Sequence, residues 1–166
     1  MQSTKPIAIT VGDHRGIGSE VISKGLSILK KNHKISPFVI IGDPSLFRPF
    51  NKILPYKKHR VVFEKDLFSK DKFIFDQKVL NFIIPDLSSI QPKLRDSYSC
   101  GRYIKIAHTG IKKGLFSALV TAPVDKFELH RGGHKYDGHT EFLQSLDKAK
   151  SVTMMLASNS LRVSLV

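Results

Sequence analysis

The sequence has one cysteine, Cys100, no tryptophan, and 14 acidic residues against 27 lysines and arginines. A single cysteine excludes an internal disulfide, so stability must come from a packed core, and a reducing compartment fits. No apolar run approaches the ~18 to 20 residues that a membrane helix needs. The start, MQSTKPIAITVGD, has one lysine and no long apolar stretch, unlike a secretory signal. A cytoplasmic location with no membrane partner is expected. The shortage of acid leaves a formal net charge of +13. That favours a polyanion partner or a phosphorylated substrate; the plainer reading is a lysine-rich solvated surface. The basic residues are spread along the chain, and the densest patch, Lys57-Lys58-His59-Arg60, falls in a loop. There is no aromatic-basic interleaving and no C-x-x-C pair, so a nucleic-acid partner is not expected.

What is present reads as an α/β domain. At 166 residues the chain is long enough for one real core. Apolar runs suited to strands fall at Ile7–Thr10, Phe38–Ile41, Val61–Phe63, Phe73–Phe75, Leu80–Ile84, Ser117–Thr121, Val152–Leu156 and Leu161–Val166. Helical spacing falls at Glu20–Leu29, Ser99–Lys113, Val124–His130 and Thr140–Leu146. Asp43 is placed to cap a short helix with Pro44 at its first position. The stretch 86–96 reads as a loop or linker. Strands alternating with helices predict a largely parallel sheet.

Three stretches have chemical potential. "ITVGDHRGIGSE" runs strand, glycine turn, helix, as a phosphate cradle does. Its spacing, G-x-x-x-G-x-G, is neither the dinucleotide fingerprint nor a Walker loop. Glu20 would repel a phosphate, and Ser19 and Glu20 suit a helix cap and first turn. A structural turn is the better reading, with Asp13 the one residue of functional potential. "HRGGHKYDGH" gathers His130, His134 and His139, but Gly132-Gly133 breaks any helix that would align them on a metal. "GHTE" sets His139 and Thr140 before a helix, either as an anion site or as a Thr N-cap with an acidic first turn.

Four stretches in register resemble the 4-hydroxythreonine-4-phosphate dehydrogenase family: "IAITVGDHRGIGSE", "VIIGD", "ALVTAPVDK", and "GHTEFL" followed by "VTMMLASNSLRVSLV". The resemblance implies a three-layer α/β/α fold like that of isocitrate and isopropylmalate dehydrogenases, here truncated to 1–166 as the N-terminal half of a two-lobed enzyme. A lobe boundary is expected near 86–100. It implies an NAD-dependent oxidation and decarboxylation of 4-phosphooxy-L-threonine to 3-amino-2-oxopropyl phosphate in pyridoxal phosphate (pyridoxine) biosynthesis. A divalent metal (zinc, magnesium or cobalt) and a homodimer go with it. The family's substrate-binding His-Thr pair falls on His139 and Thr140, and Asp13 and Lys126 match positions near the cleft. His130 and His134 match no functional position. The catalytic, metal and NAD residues of the family fall beyond Val166, so none is expected in this chain. The expectation is a gene fragment, a split or frame-shifted reading frame, or a truncated chain, without turnover of its own. Two readings stand beside this one: a non-catalytic basic binding module, and a related dehydrogenase for another hydroxy acid. The departures from the family pattern are His14-Arg15 in place of Pro-Ala, and Ser19 in place of Pro.

Overall fold

Five short strands carry the centre of the molecule. They are β1 (Ile7–Thr10), β2 (Phe38–Ile41), β3 (His59–Phe63), β4 (Leu80–Ile84) and β5 (Ala118–Thr121). In the computed structural model, which describes residues 5–32, 36–68, 75–76 and 78–165, they form one parallel sheet in the order β3-β4-β2-β1-β5. The register sets Ile7 beside Phe38 on one side and beside Ala118 on the other. Strands covered on both faces are built from continuous apolar residues rather than alternating ones. All four residues of β2 are buried accordingly.

The helices are α1 (Gly18–Lys31), α2 (Glu64–Leu67), α3 (Arg95–Lys112), α4 (Lys126–Arg131) and α5 (His139–Asp147), with 3-10 turns at Pro44–Phe50 and Pro92–Leu94. Parallel crossovers are right-handed. The chain moves from β1 outward to β2 through α1, and back from β4 to β5 through α3, so these two helices cover opposite faces. The contacts agree. The first 3-10 turn packs with α1. On the other face, Arg102 of α3 forms an ion pair with Glu64 of α2, and Lys113 lies over the Phe68 ring at 4.7 Å. The result is an α/β/α arrangement.

Helix α3 is buried on more than one side, for a physical reason. Tyr103, Ile106 and Ala107 join the main core under the sheet. Cys100 and Ile104 join a second cluster with Leu129 of α4 and Phe142 of α5. In α1, by contrast, Ile22 and Leu26 are buried while Val21 and Leu29 face solvent.

Several local expectations are corrected. Helix α1 starts at Gly18 with Ile17 as its cap residue, and no side chain caps it. Ser19 therefore lies inside the first turn. A Cβ on Gly18 would sit 1.9 Å from the Val11 carbonyl oxygen; this glycine permits helix and strand to approach, and it is not free to cradle a phosphate. The stretch 86–96 contains the second 3-10 turn, and α3 begins at Arg95, four residues before the expected start. Asp43 caps as expected, accepting from the Ser45 N–H at 2.7 Å. The expected strand Phe73–Phe75 falls mostly outside the described residues.

The last two strands, β6 (Met154–Ala157) and β7 (Arg162–Leu165), pair antiparallel with each other and not with the main sheet. Every residue of both is exposed, Met155, Leu156 and Leu165 each by half or more. No helix among the described residues is long and apolar enough to cross a membrane.

Candidate functional site

Chains leaving β1 and β5 part to opposite faces of the sheet. Such a reversal opens a crevice at the carboxyl ends of the strands, where α/β proteins place ligands. Here the two loops bounding the crevice are Val11–Ile17 and Ala122–Asp125. They are tied together at its floor. Gly12 has φ +79°, and a Cβ there would lie 2.0 Å from the Pro123 carbonyl oxygen. That contact distance lets the Asp13 N–H donate to the same carbonyl at 3.1 Å. The Asp13 carboxylate accepts from the Arg15 N–H at 3.1 Å and so folds the loop on itself.

The His14-Arg15 pair is held from below. His14 Nε2 lies 2.6 Å from the Tyr103 hydroxyl, and its Nδ1 lies 3.2 Å from the Asp96 carboxylate. The two rings are nearly parallel, 8° apart. Burial pushes the Tyr103 phenol well above its ordinary range. It therefore stays protonated as one partner of the His14 Nε2 hydrogen bond. Arg15 donates to Glu128 at 2.8 Å. Glu128 is buried and also accepts from the Ser97 hydroxyl, while its own N–H is capped by Asp125 at 3.0 Å. A carboxylate out of water needs such partners. Beneath them burial, aided by the Asp13 charge, pushes the Cys100 thiol up to about 12, so it is not a nucleophile.

Helix α5 opens at His139, with the extended Gly138 before it and no side-chain cap. Thr140 is thus not the N-cap. The His139 Nε2 atom is buried and has no hydrogen-bond partner. Burial alone pulls its pKa below the usual imidazole value. A buried polar atom without a partner costs free energy, on the order of 1–3 kcal/mol; the Thr10 hydroxyl of β1 is in the same state. Lys126, the first residue of α4, pairs with Asp137 at 2.6 Å, and both are largely exposed. That lysine holds the Asp137 carboxyl below the ordinary carboxylate range.

The crevice thus brings Asp13 beside the β5 loop, and places Lys126 beside the turn that leads into His139 and Thr140. No direct contact joins Asp13 to His139. The partners of His14-Arg15, namely Tyr103, Asp96 and Glu128, were not among the sequence candidates; they lie far away in the chain, and no local spacing marks them. The three histidines do not converge. His130 Nε2 lies 3.0 Å from the Tyr136 carbonyl, and His134 is buried with its Nε2 3.2 Å from the Tyr98 carbonyl. Among the described residues no group of three or more His, Cys, Asp or Glu side chains could hold a metal.

Residues 33–166 match the family model described as "Pyridoxal phosphate biosynthetic protein PdxA". The chain is 34% identical over 163 residues to a 4-hydroxythreonine-4-phosphate dehydrogenase of Zymomonas mobilis, covering 95% of this chain and 46% of that protein. It is 31% identical over 169 residues to a D-threonate 4-phosphate dehydrogenase of Salmonella typhimurium, covering 96% and 49%. The solved structure of a 4-hydroxythreonine-4-phosphate dehydrogenase from Burkholderia phymatum superposes with a TM-score of 0.73 at 32% identity, over 97% of this chain and 49% of that one. The chain spans about half the length of the curated relatives it matches.

Proposed function

Because the chain belongs to the PdxA family of pyridoxal phosphate biosynthetic proteins, we propose that it forms the substrate-holding part of an NAD-dependent dehydrogenase acting on 4-phosphooxy-L-threonine. The reaction of the whole enzyme would oxidise the 3-hydroxyl and release carbon dioxide, giving 3-amino-2-oxopropyl phosphate. The share of this chain is binding. The observation that carries the reading is the buried, unpartnered Nε2 of His139 at the crevice. Its depressed pKa keeps the ring neutral, so Nε2 accepts from a substrate hydroxyl or, in the other tautomer, donates to a substrate oxygen. Thr140 adds a hydroxyl beside it, and the first-turn amides of α5 favour an anion. Asp13 and Lys126 are the further cleft contacts; a substrate phosphate would compete with Asp137 for the Lys126 ammonium.

NAD would supply the hydride acceptor, and a divalent metal (zinc, magnesium or cobalt) would polarise the alcohol. Among the described residues the glycine loop is used for helix–strand approach, and no set of three metal donors converges. The resemblance to the family places both sites outside this chain. A homodimer, a cytoplasmic location and a lobe boundary near 86–100 belong to the same proposal.

A second reading replaces the amino acid by the hydroxy acid D-threonate 4-phosphate, and the Salmonella relative favours it. Calorimetric titration of both compounds into the purified chain separates the two. One compound should saturate, and His139→Asn should weaken it by roughly tenfold. With NAD and magnesium or zinc added, no NADH should form. Binding indifferent to His139→Asn, no binding of either compound, or NADH production would overturn the proposal.

A further inference from the structure

A cavity of about 530 Å³ opens on the far flank of the sheet from the crevice, over β3 and β4. Its volume is that of a small-molecule pocket. No residue lining it takes part in the site described above.

Its lining has two parts. The floor is aromatic. Phe47 and Phe82 are buried and meet edge to face, with centroids 5.2 Å apart. His59 stands perpendicular to Phe82 at 6.0 Å, and the half-buried Tyr56 forms a side wall. The rim is cationic: Arg48, Lys52, Lys57 and Lys58 all line the opening and are exposed. Among the described residues none of these four has a carboxylate partner. Four unpaired cations around one opening repel one another, and an anion between them relieves that repulsion. The patch Lys57-Lys58-His59-Arg60 is the densest basic run of the sequence, and the proposed dehydrogenase site makes no use of it.

We infer that this cavity is a second binding site, for a small molecule that joins a flat aromatic ring to a phosphate. The ring lies between Tyr56 and His59, over the buried Phe47–Phe82 pair, and the phosphate meets the lysine and arginine rim. A nucleoside monophosphate and a phosphorylated pyridine both have this chemistry. Because the rim lies at the opposite flank of the sheet, occupancy leaves the crevice free.

The test uses adenosine monophosphate and pyridoxine 5′-phosphate as probes. The second lacks an aldehyde and so forms no imine with lysine. Each is titrated into the chain by calorimetry, with inorganic phosphate as the ring-free control. One probe should saturate at one site per chain, and which of them binds more tightly identifies the source. The double variant Lys57→Glu/Lys58→Glu should weaken binding by about tenfold or more. A second rim pair, Arg48→Glu/Lys52→Glu, should do the same, and circular dichroism checks that each variant is folded. The pair Lys93→Glu/Lys150→Glu makes the same charge change away from the cavity and should leave binding within about twofold. Any of four results would overturn the inference. These are no saturation by either probe, equal losses in all three variants, phosphate binding as tightly as the ring-bearing probes, or binding of single-stranded RNA with neither small probe bound.

Discussion

Gly12, Gly133 and Gly25 stand in three different environments, and they make the clearest residue-scale contrast. Gly12 has φ +79° and no room for a Cβ; Gly133 has φ +85° in open space; Gly25 lies in mid-helix with nothing within 4 Å. Gly12→Ala should destabilise by about 3 kcal/mol, because backbone strain adds to a clash with main chain. Gly133→Ala should cost only the strain, about 1 kcal/mol. Gly25→Ala should stabilise by about 0.5–1 kcal/mol through helix propensity and a less free unfolded chain. Urea midpoints of the three variants check the order. Site legibility follows the same division between local and distant. His139, Thr140, Asp13 and Lys126 are proposed from short stretches that resemble the family's motifs, on spacing that by itself leaves the role of His139 and Thr140 even. The anchoring of His14 and Arg15 was not readable, because Tyr103, Asp96 and Glu128 reach them only through the fold.

Among the elements, the terminal hairpin β6–β7 differs from the rest. Apart from Arg162 and Ser164 its strand side chains are apolar, yet all its residues are exposed, and a lone two-stranded hairpin is marginal in water. Its amides should exchange fastest among the strands, and deleting residues 152–165 should leave the unfolding midpoint of the remainder unchanged within about 0.5 kcal/mol. Hydrogen exchange and a urea titration of the deletion variant measure both. A large loss of stability on deletion would show that the hairpin is packed in solution. The parallel strands were legible as short apolar runs, because buried parallel strands need no alternation to be read; the exception is the start of β3, where His59 and Arg60 of the expected loop belong to the strand. Helix ends were less legible. Ser19 resembles a cap by type, but the close approach of Gly18 to Val11 fixes where α1 begins. Likewise α3 runs back to Arg95 through polar residues whose helical state is decided by packing on α4.

At the scale of the whole molecule, buried histidines set the response to acid. His134 and His139 both have pKa values lowered by burial. Their folded values lie below the unfolded value near 6.5, so between the two the unfolded chain binds more protons and stability rises with pH. Stability should be full above pH ~7 and fall as the pH drops through ~6.5 toward the lowered folded values. Asp86, Asp137 and Asp147 have lowered values as well, but their effect begins only near the unfolded carboxylate value of ~4. Urea midpoints at pH 7.5 and 5.5 should therefore differ, and His139→Asn should reduce the difference. Equal midpoints in the wild-type chain would contradict the assignment.

The lacing of the β1 and β5 loops also bears on how the protein is made. Strand β1 pairs with β5 along its whole length, and Arg15 meets Glu128 across 113 residues. During synthesis β1 leaves the ribosome before β5, with one edge and its following loop unpartnered until residues 118–121 have followed. Contacts of such separation are slow to form and expose unpaired strand edges to other chains meanwhile. The crevice thus exists only once β5 has joined the sheet, and a chain interrupted before residue 121 would have no site at all, however well its first four strands had folded.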